Sequence, residues 1–189
     1  MENNIKTLTN KMRIGFIVPS SSDNFNPFRN QPLVTLYLLT ILEQHFGERI
    51  ELSLIDLGGI EEQHAFRHIP ENEVFLYSVT TSDFTELINI MESLRHIYPD
   101  SKHIAGGAHI NLFPQHCVKR FDAIVLGEGE DSLINVIDDI FRSNLKKKYK
   151  QIKPIDLNLY PYPDRKYLPK SAVVNIDILQ GKYSHLKAT

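Results

Sequence analysis

Cysteine is almost absent from this 189-residue chain, which contains Cys117 and no second thiol. One thiol cannot close a disulfide within the chain, and it cannot supply the thiolates of a zinc cage or an iron–sulfur cluster. Tryptophan is also absent, which excludes no function.

An excess of charge and a long apolar run are lacking too. Lys and Arg number 21 against 23 Asp and Glu, for a net charge of −2, so no basic surface for nucleic acid is predicted. No apolar run reaches the roughly 18 residues of a membrane helix, and the start lacks the pattern of a secretory signal. We therefore expect a cytoplasmic protein that binds neither nucleic acid nor a membrane.

What the sequence does contain is a regular alternation of short apolar runs and helical segments. Continuously apolar strands between helices are typical of a parallel sheet covered on both faces. The pattern predicts a five-stranded, doubly wound, flavodoxin-like α/β fold, with strands at 13–19, 51–57, 74–79, 102–107 and 122–127.

Composition also suggests boundaries. We expect a loosely ordered start over 1–12, an α/β domain over 13–144 and an extended linker over 145–189. Four prolines between Pro154 and Pro169 favour the linker.

The stretch "GGAHINLFPQHCVKRFDAIVLGEGE" (106–130) contains four of the nine glycines, placed after two of the predicted strands. Glycine at a strand end permits a sharp turn or the close approach of another group. Ligands of open parallel sheets bind at the carboxyl ends of the strands, so this stretch predicts either two tight turns or a ligand lying across the edge.

Several ligand classes can be compared with this edge. The G-x-G-x-x-G of a dinucleotide site is absent after the first strand, and so is a G-x-x-x-x-G-K phosphate loop. A phospho-accepting receiver would need acidic residues after that strand, where the chain has serines. A flavin remains an alternative, because "SSSDN" (20–24) partly fits a flavodoxin phosphate loop.

Taken whole, the 106–130 stretch resembles the cobalamin-binding domain that precedes the catalytic domain of many radical S-adenosylmethionine enzymes. The resemblance rests on GG-x-H, a spaced proline, F-D and a strand leading into G-E-G-E. It extends to "SVTTSDF" (78–84) and to the "YPYPDR" linker (160–165).

The resemblance implies that a corrin lies across the strand ends and that its nucleotide tail descends between the strands. It implies no catalytic or metal-ligating residue in this chain. The implied cofactor contacts are Ser20, Ser21, Asn24, Thr80, Thr81, Ser82, Gly106, Gly107, His109, Gly127, Glu128 and Gly129.

Two departures from related patterns shape the expectation. The D-x-H-x-x-G of other cobalamin carriers is absent, so we expect base-off cobalamin without a histidine ligand from the first loop. The C-x-x-x-C-x-x-C of a radical domain is absent as well. We therefore expect a fragment or a stand-alone module that performs no radical chemistry alone, with S-adenosylmethionine and the 4Fe–4S cluster bound in a further domain of the same polypeptide.

By resemblance, the full enzyme would transfer a methyl group or oxidatively cyclise a tetrapyrrole-like substrate. The alternatives are a partner-docking module that has lost its cofactor and a flavin- or nucleotide-binding domain.

Four residues also admit structural explanations. Asp83 and Glu86 have the spacing of a helix capping box. His109 is either a ligand contact or a solvated polar residue, and Glu130 suits the start of a helix for electrostatic reasons.

Overall fold

A computed structural model describes residues 11–20, 31–58, 60, 62–151, 155–168, 176–177 and 182–183. Its centre is a parallel sheet with the strand order β2-β1-β3-β4-β5-β6. This order confirms the predicted flavodoxin-like class, in which the switch in strand order lies between β1 and β3. The strands are β1 Met12–Val18, β2 Ile50–Asp56, β3 Val74–Ser78, β4 Lys102–Gly106, β5 Ala123–Leu126 and β6 Lys148–Lys150.

Helices connect successive strands and cover both faces of the sheet. They are α1 Leu33–Phe46, α2 Glu62–Ala65, α3 Phe84–Ile97, α4 Ala108–Leu112, α5 Pro114–Cys117 and α6 Glu130–Phe141. Short 3-10 turns follow α1 and α2 and recur at Leu157–Leu159 and Arg165–Tyr167. None of the helices in the described residues is long and apolar enough to cross a membrane.

The predicted count of five strands is wrong by one. β6 pairs in parallel with β5, with Val125 opposite Tyr149, so the sheet takes in residues that the sequence assigned to the linker. "KYK" resembles a solvated basic run, but Tyr149 between the lysines is 7% exposed and its hydroxyl donates to Asp139 at 2.8 Å. Flanking lysines are common on edge strands, where they discourage further pairing.

The sheet separates two apolar cores. One face packs against α2, α3 and the α4–α5 segment through residues such as Phe75, Leu87 and Phe121. The other packs against α1 and α6 through residues such as Leu39, Leu76 and Val136. We call these the α3 face and the α1/α6 face.

The segment 155–168 folds back onto the α1/α6 face. The backbone N–H of Asp164 donates to the Thr40 hydroxyl at 2.9 Å, and the Tyr160 hydroxyl donates to Asp131 at 2.6 Å. A two-residue antiparallel ladder, β7 Ile176–Asp177 and β8 Lys182–Tyr183, completes the described chain.

Candidate functional site

A cleft of about 320 Å³ opens at the carboxyl edge of the sheet, on the α1/α6 face. Strand residues form its floor, the first turns of α1 and α6 form its sides, and the two glycine-rich turns form its rim. The lining residues include Phe16, Leu76, Ile104 and Val125 from the strands, Val34, Tyr37 and Leu38 from α1, Glu130 and Leu133 from α6, and Gly106, Gly107, Gly127, Glu128 and Gly129 from the turns. Five of the implied cofactor contacts thus meet at one cleft.

The two glycines after β4 have different roles. Gly107 has φ +102° and ψ −177°, a region that is essentially restricted to glycine. A Cβ there would lie 2.8 Å from the backbone N and O of Val79. A Cβ on Gly106 would meet Val125 at 3.5 Å, an ordinary contact distance. The fold therefore explains Gly107, whereas Gly106 keeps a wall of the cleft open.

The turn after β5 is tied to helix α4. The Asn111 side-chain oxygen accepts from the backbone N–H of Gly127 at 2.8 Å, and Gly127 has φ +78°. At Gly129 a Cβ would lie 3.4 Å from Leu38 across the cleft. Asn111 was not predicted as a site residue, because nothing in the sequence indicates that its side chain reaches the second turn.

The hydroxyl residues after β3 lie exposed at the carboxyl edge of the sheet and are not among the residues that line the cleft. The Thr80 hydroxyl donates to Asp83 at 2.5 Å, and the Ser82 hydroxyl donates to the same carboxylate at 3.2 Å. The predicted capping box is wrong: Asp83 makes no side-chain cap bond to α3. Glu86 instead accepts the backbone N–H of Ser20 at 2.6 Å. These contacts hold the Asp83 carboxylate against the hydroxyls of Thr80 and Ser82. The bond from Ser20 to Glu86 fastens the chain after β1 to α3.

His109 is not a solvated residue, since it is 7% exposed. Its ring stacks on Phe84 with centroids 4.1 Å apart, and its Nδ1 lies 3.2 Å from the Thr81 hydroxyl. Burial, together with His116, lowers the pKa of His109. His109 is therefore held in an aromatic stack on the α3 side of the rim, beside Thr81.

The end of β1 is described as far as Ser20, which is 2% exposed, with no hydrogen-bond partner for its hydroxyl among the described residues. Ser21 and Asn24 lie outside the described residues. Cys117 is fully buried, and burial raises the pKa of its thiol.

Two polar atoms beside the cleft are buried without a hydrogen-bond partner in the described part of the chain. They are the hydroxyl of Tyr37 and Oε2 of Glu130. A carboxylate at the N-terminus of a helix is stabilised by the helix dipole. Glu130 has this position in α6, but it is only 6% exposed, so the dipole alone does not satisfy its oxygens. Tyr37 was not predicted as a site residue, because its position in α1 is also that of a packed helix residue.

A parallel α/β sheet with an open cleft at its carboxyl edge defines a class that binds many ligands. Comparison with known proteins adds a likeness to solved structures. No family model and no curated protein matches the chain. Among solved structures, it resembles the cobalamin-dependent S-adenosylmethionine radical enzyme OxsB with aqua-cobalamin bound, with a TM-score of 0.64 and 15% sequence identity. The match covers 87% of this chain and 24% of the other, and it shows a shared fold.

Proposed function

We propose that this chain is a cobalamin-binding domain, with the corrin across the carboxyl edge of the sheet and the nucleotide tail in the cleft between α1 and α6. The observation that carries the proposal is the cleft itself. It descends from a glycine-rich rim beside the sheet, where a bulky ligand with a narrower tail can enter.

The lining suits a flat, largely apolar group. Phe16, Leu76, Ile104 and Val125 form an apolar floor, and such walls favour burial of an aromatic base. The missing side chain of Gly106 leaves space that any larger residue would take, since Val125 already lies 3.5 Å from the Cβ position. The residues present therefore fit the base of a cobalamin tail.

The hydroxyl residues after β3 suit the polar periphery of a corrin. Thr80 and Ser82 present hydroxyl groups anchored on Asp83, while Thr81 is oriented by His109. Side-chain amides of the corrin can exchange hydrogen bonds with such hydroxyls. We propose that the remaining predicted contacts, Ser20, Ser21, Asn24 and Glu128, also form hydrogen bonds with the corrin periphery.

The sequence of the loop after β1 indicates whether a side chain from that loop can coordinate the lower face of the cobalt. No histidine occurs between Val18 and Gln44, so that loop offers no imidazole ligand. His109 is held by Phe84 and Thr81. We therefore propose base-off binding without a histidine ligand from the loop.

The wider assignment is to a radical S-adenosylmethionine enzyme, of methyltransferase or oxidative-cyclase type. It is supported by the 106–130 motif and by the fold shared with OxsB. Cobalamin supplies methyl-carrying or electron-exchanging chemistry at its cobalt, while the residues of this chain bind and orient it. With Cys117 as its one thiol, the chain leaves S-adenosylmethionine and the 4Fe–4S cluster to a further domain of the same polypeptide, reached through the segment after β6.

The test is a visible-absorbance titration of the chain with hydroxocobalamin. We expect one equivalent to bind with a base-off spectrum. A histidine-ligated spectrum would contradict the proposed lower face. No corrinoid binding, with or without uptake of flavin mononucleotide in a parallel titration, would replace the proposal by the flavin or docking alternative.

A substitution can locate the binding site. Gly106→Val extends two methyl groups from the wall of the cleft and should weaken hydroxocobalamin binding by roughly tenfold or more, since overpacking displaces neighbouring groups. Lys102→Val is the matched control, because it places the same side chain at the exposed opposite end of β4. Equal binding by both variants would show that the tail does not use the cleft.

A further inference from the structure

The unpartnered polar atoms of the cleft call for a specific ligand. Buried polar groups in folded proteins are nearly always hydrogen-bonded, and leaving one unpaired is costly. In the structure neither Oε2 of Glu130 nor the Tyr37 hydroxyl makes a hydrogen bond within the described residues, and the two groups lie close enough for the Glu130 carboxyl group to act on the Tyr37 hydroxyl. The two side chains belong to different helices and line the same cleft, so a ligand there can contact both.

Neighbouring acidic residues do not share this state. Glu128 is exposed to solvent. Asp131 accepts from Tyr160 at 2.6 Å and from the Gln151 side chain at 3.1 Å. Among the three acidic residues of "GEGED", Glu130 is therefore the one that is both buried and incompletely bonded.

Tyr37 complements Glu130 as a hydrogen-bond donor. Burial raises the pKa of Tyr37, and the charge and hydrogen-bonding capacity of the nearby Glu130 carboxyl group raise it further, so the Tyr37 hydroxyl keeps its proton near neutral pH. Glu130 Oε2 can accept, and the Tyr37 hydroxyl can donate. Apart from Ser78, Glu128 and the glycine turns, the remaining lining residues are apolar or aromatic, so the cleft offers a buried acceptor and a donor beside an apolar space.

We propose that Tyr37 and Glu130 recognise the polar edge of an adenine-type base. Glu130 would accept from the exocyclic amine, and Tyr37 would donate to the adjacent ring nitrogen. The inference rests on the proposed function, because the base is then the tail base of a cobamide. The dimethylbenzimidazole of cobalamin has no N–H group and would leave Glu130 unpaired, so we expect the chain to bind cobalamin but to favour a cobamide with an adenine tail.

The test compares two corrinoids on two proteins. Dissociation constants for hydroxocobalamin and for the adeninyl cobamide are measured by ultrafiltration, with the retained corrinoid read by its absorbance. Glu130→Met keeps the length of the side chain but removes its acceptor. The ratio of the two constants should shift by about tenfold or more towards hydroxocobalamin in this variant. The free energy of dissociating each tail base from the cobalt is the same for both proteins, so it cancels when the ratios are compared.

Further variants separate recognition from loss of structure. Glu130→Gln retains a carbonyl acceptor and should keep most of the preference, and Tyr37→Phe should lose part of it. Glu92→Met and Tyr98→Phe make the same chemical changes on the α3 face, where both side chains already have partners, and should leave the ratio unchanged.

Each outcome decides between the proposals. An unchanged ratio in Glu130→Met overturns base recognition but leaves cobalamin binding intact. If neither corrinoid binds but adenosine monophosphate does, and Glu130→Met abolishes this binding, the base is recognised in a free nucleotide and the cobalamin proposal fails. If none of the three ligands binds, both proposals fail.

Discussion

The two faces of the sheet differ in where their incompletely bonded polar groups lie. On the α3 face, the Tyr77 hydroxyl lies 2.8 Å from Nδ1 of the fully buried His103. Asp122 accepts from the His103 backbone at 2.8 Å and from Arg95 at 3.0 Å. A chain of contacts thus joins these polar groups within the fold. Nε2 of His103 and Nε of Arg95 keep no partner among the described residues, and neither residue lines the cleft.

On the α1/α6 face, the sheet is left uncovered near its carboxyl edge, and Tyr37 and Glu130 lack partners there among the described residues. A stable fold can tolerate an incomplete region when a ligand completes it. Unpartnered polar atoms occur on both faces, and those of Tyr37 and Glu130 belong to residues that line the cleft. We infer that the α3 face serves stability and that the α1/α6 face keeps a binding site. The following experiments test this division.

The largest loss of stability is expected at Gly107, where the backbone conformation and the nearby Val79 backbone leave no room for a side chain. Gly107→Ala should destabilise the chain by about 3 kcal/mol or more, because alanine is strained at this backbone conformation and its Cβ would lie 2.8 Å from Val79 backbone atoms. Gly106→Ala should have little effect on stability. Urea denaturation measures both, and similar losses in the two variants would refute the separate roles of these glycines.

A comparable effect should appear on acidification. Burial, followed by the nearby Arg95, lowers the pKa of His103 from 6.5 to about 4. Between about pH 6.5 and 4, His103 is therefore protonated in the unfolded chain but neutral in the folded chain. His103 should cost about 3 kcal/mol of stability as the pH falls from 6.5 to 4, and should have no such effect above 6.5.

Denaturation of the wild type and of His103→Phe across this range measures the contribution. The difference between the two stability curves should change with pH at a slope approaching one proton. Because His109 and the carboxyl groups remain in both proteins, their titration largely cancels. Parallel curves between pH 4 and 6.5 would show that His103 is protonated as readily in the fold as in the unfolded chain.

Two tyrosines provide a smaller and more direct contrast between the faces. Tyr77→Phe leaves His103 without its partner and should cost about 1–2 kcal/mol. Tyr37→Phe removes a hydroxyl that has no partner in the described structure and should be neutral or slightly stabilising. Thermal unfolding of both variants tests this, and a larger loss in Tyr37→Phe would reverse our interpretation of the two faces.

The smallest effect is expected at the segment that folds back over α1. Lys166 forms ion pairs with Glu43 at 2.5 Å and with Asp164 at 3.5 Å, but half of its side chain is exposed. Exposed ion pairs contribute little, so Lys166→Ala should change the free energy of unfolding by less than about 1 kcal/mol. A larger loss would mean that the α1/α6 face depends on this segment for its stability.

The sequence predicted the alternating elements and the edge of the sheet where the cleft lies, because both follow from local patterns. Apolar runs identified β1 to β5, four of them closed by glycine or proline, and the glycine pairs marked the ends of β4 and β5. β6 was not predicted, since a single buried tyrosine between lysines carries almost no periodic signal.

What could not be predicted depends on contacts between distant residues. The sequence spacing favoured a local cap from Glu86, whereas its carboxyl group binds Ser20, 66 residues earlier. His109 stacks on Phe84 of α3, and the proximity of Tyr37 to Glu130 requires α1 and α6 to lie side by side. Gly106 and Gly107 look alike in the sequence, and the backbone conformation of Gly107 together with the position of Val79 separates their roles.

The most direct test of the central claim compares hydroxocobalamin with diaquacobinamide, a corrinoid that lacks the nucleotide tail, in equilibrium binding to the wild-type chain. If the tail occupies the cleft, hydroxocobalamin should bind at least about a hundredfold more tightly, because burying the base removes apolar surface from water. Gly106→Val should abolish most of that difference. Equal affinity for the two corrinoids would contradict the account, since the cleft between α1 and α6 would then contribute nothing to binding.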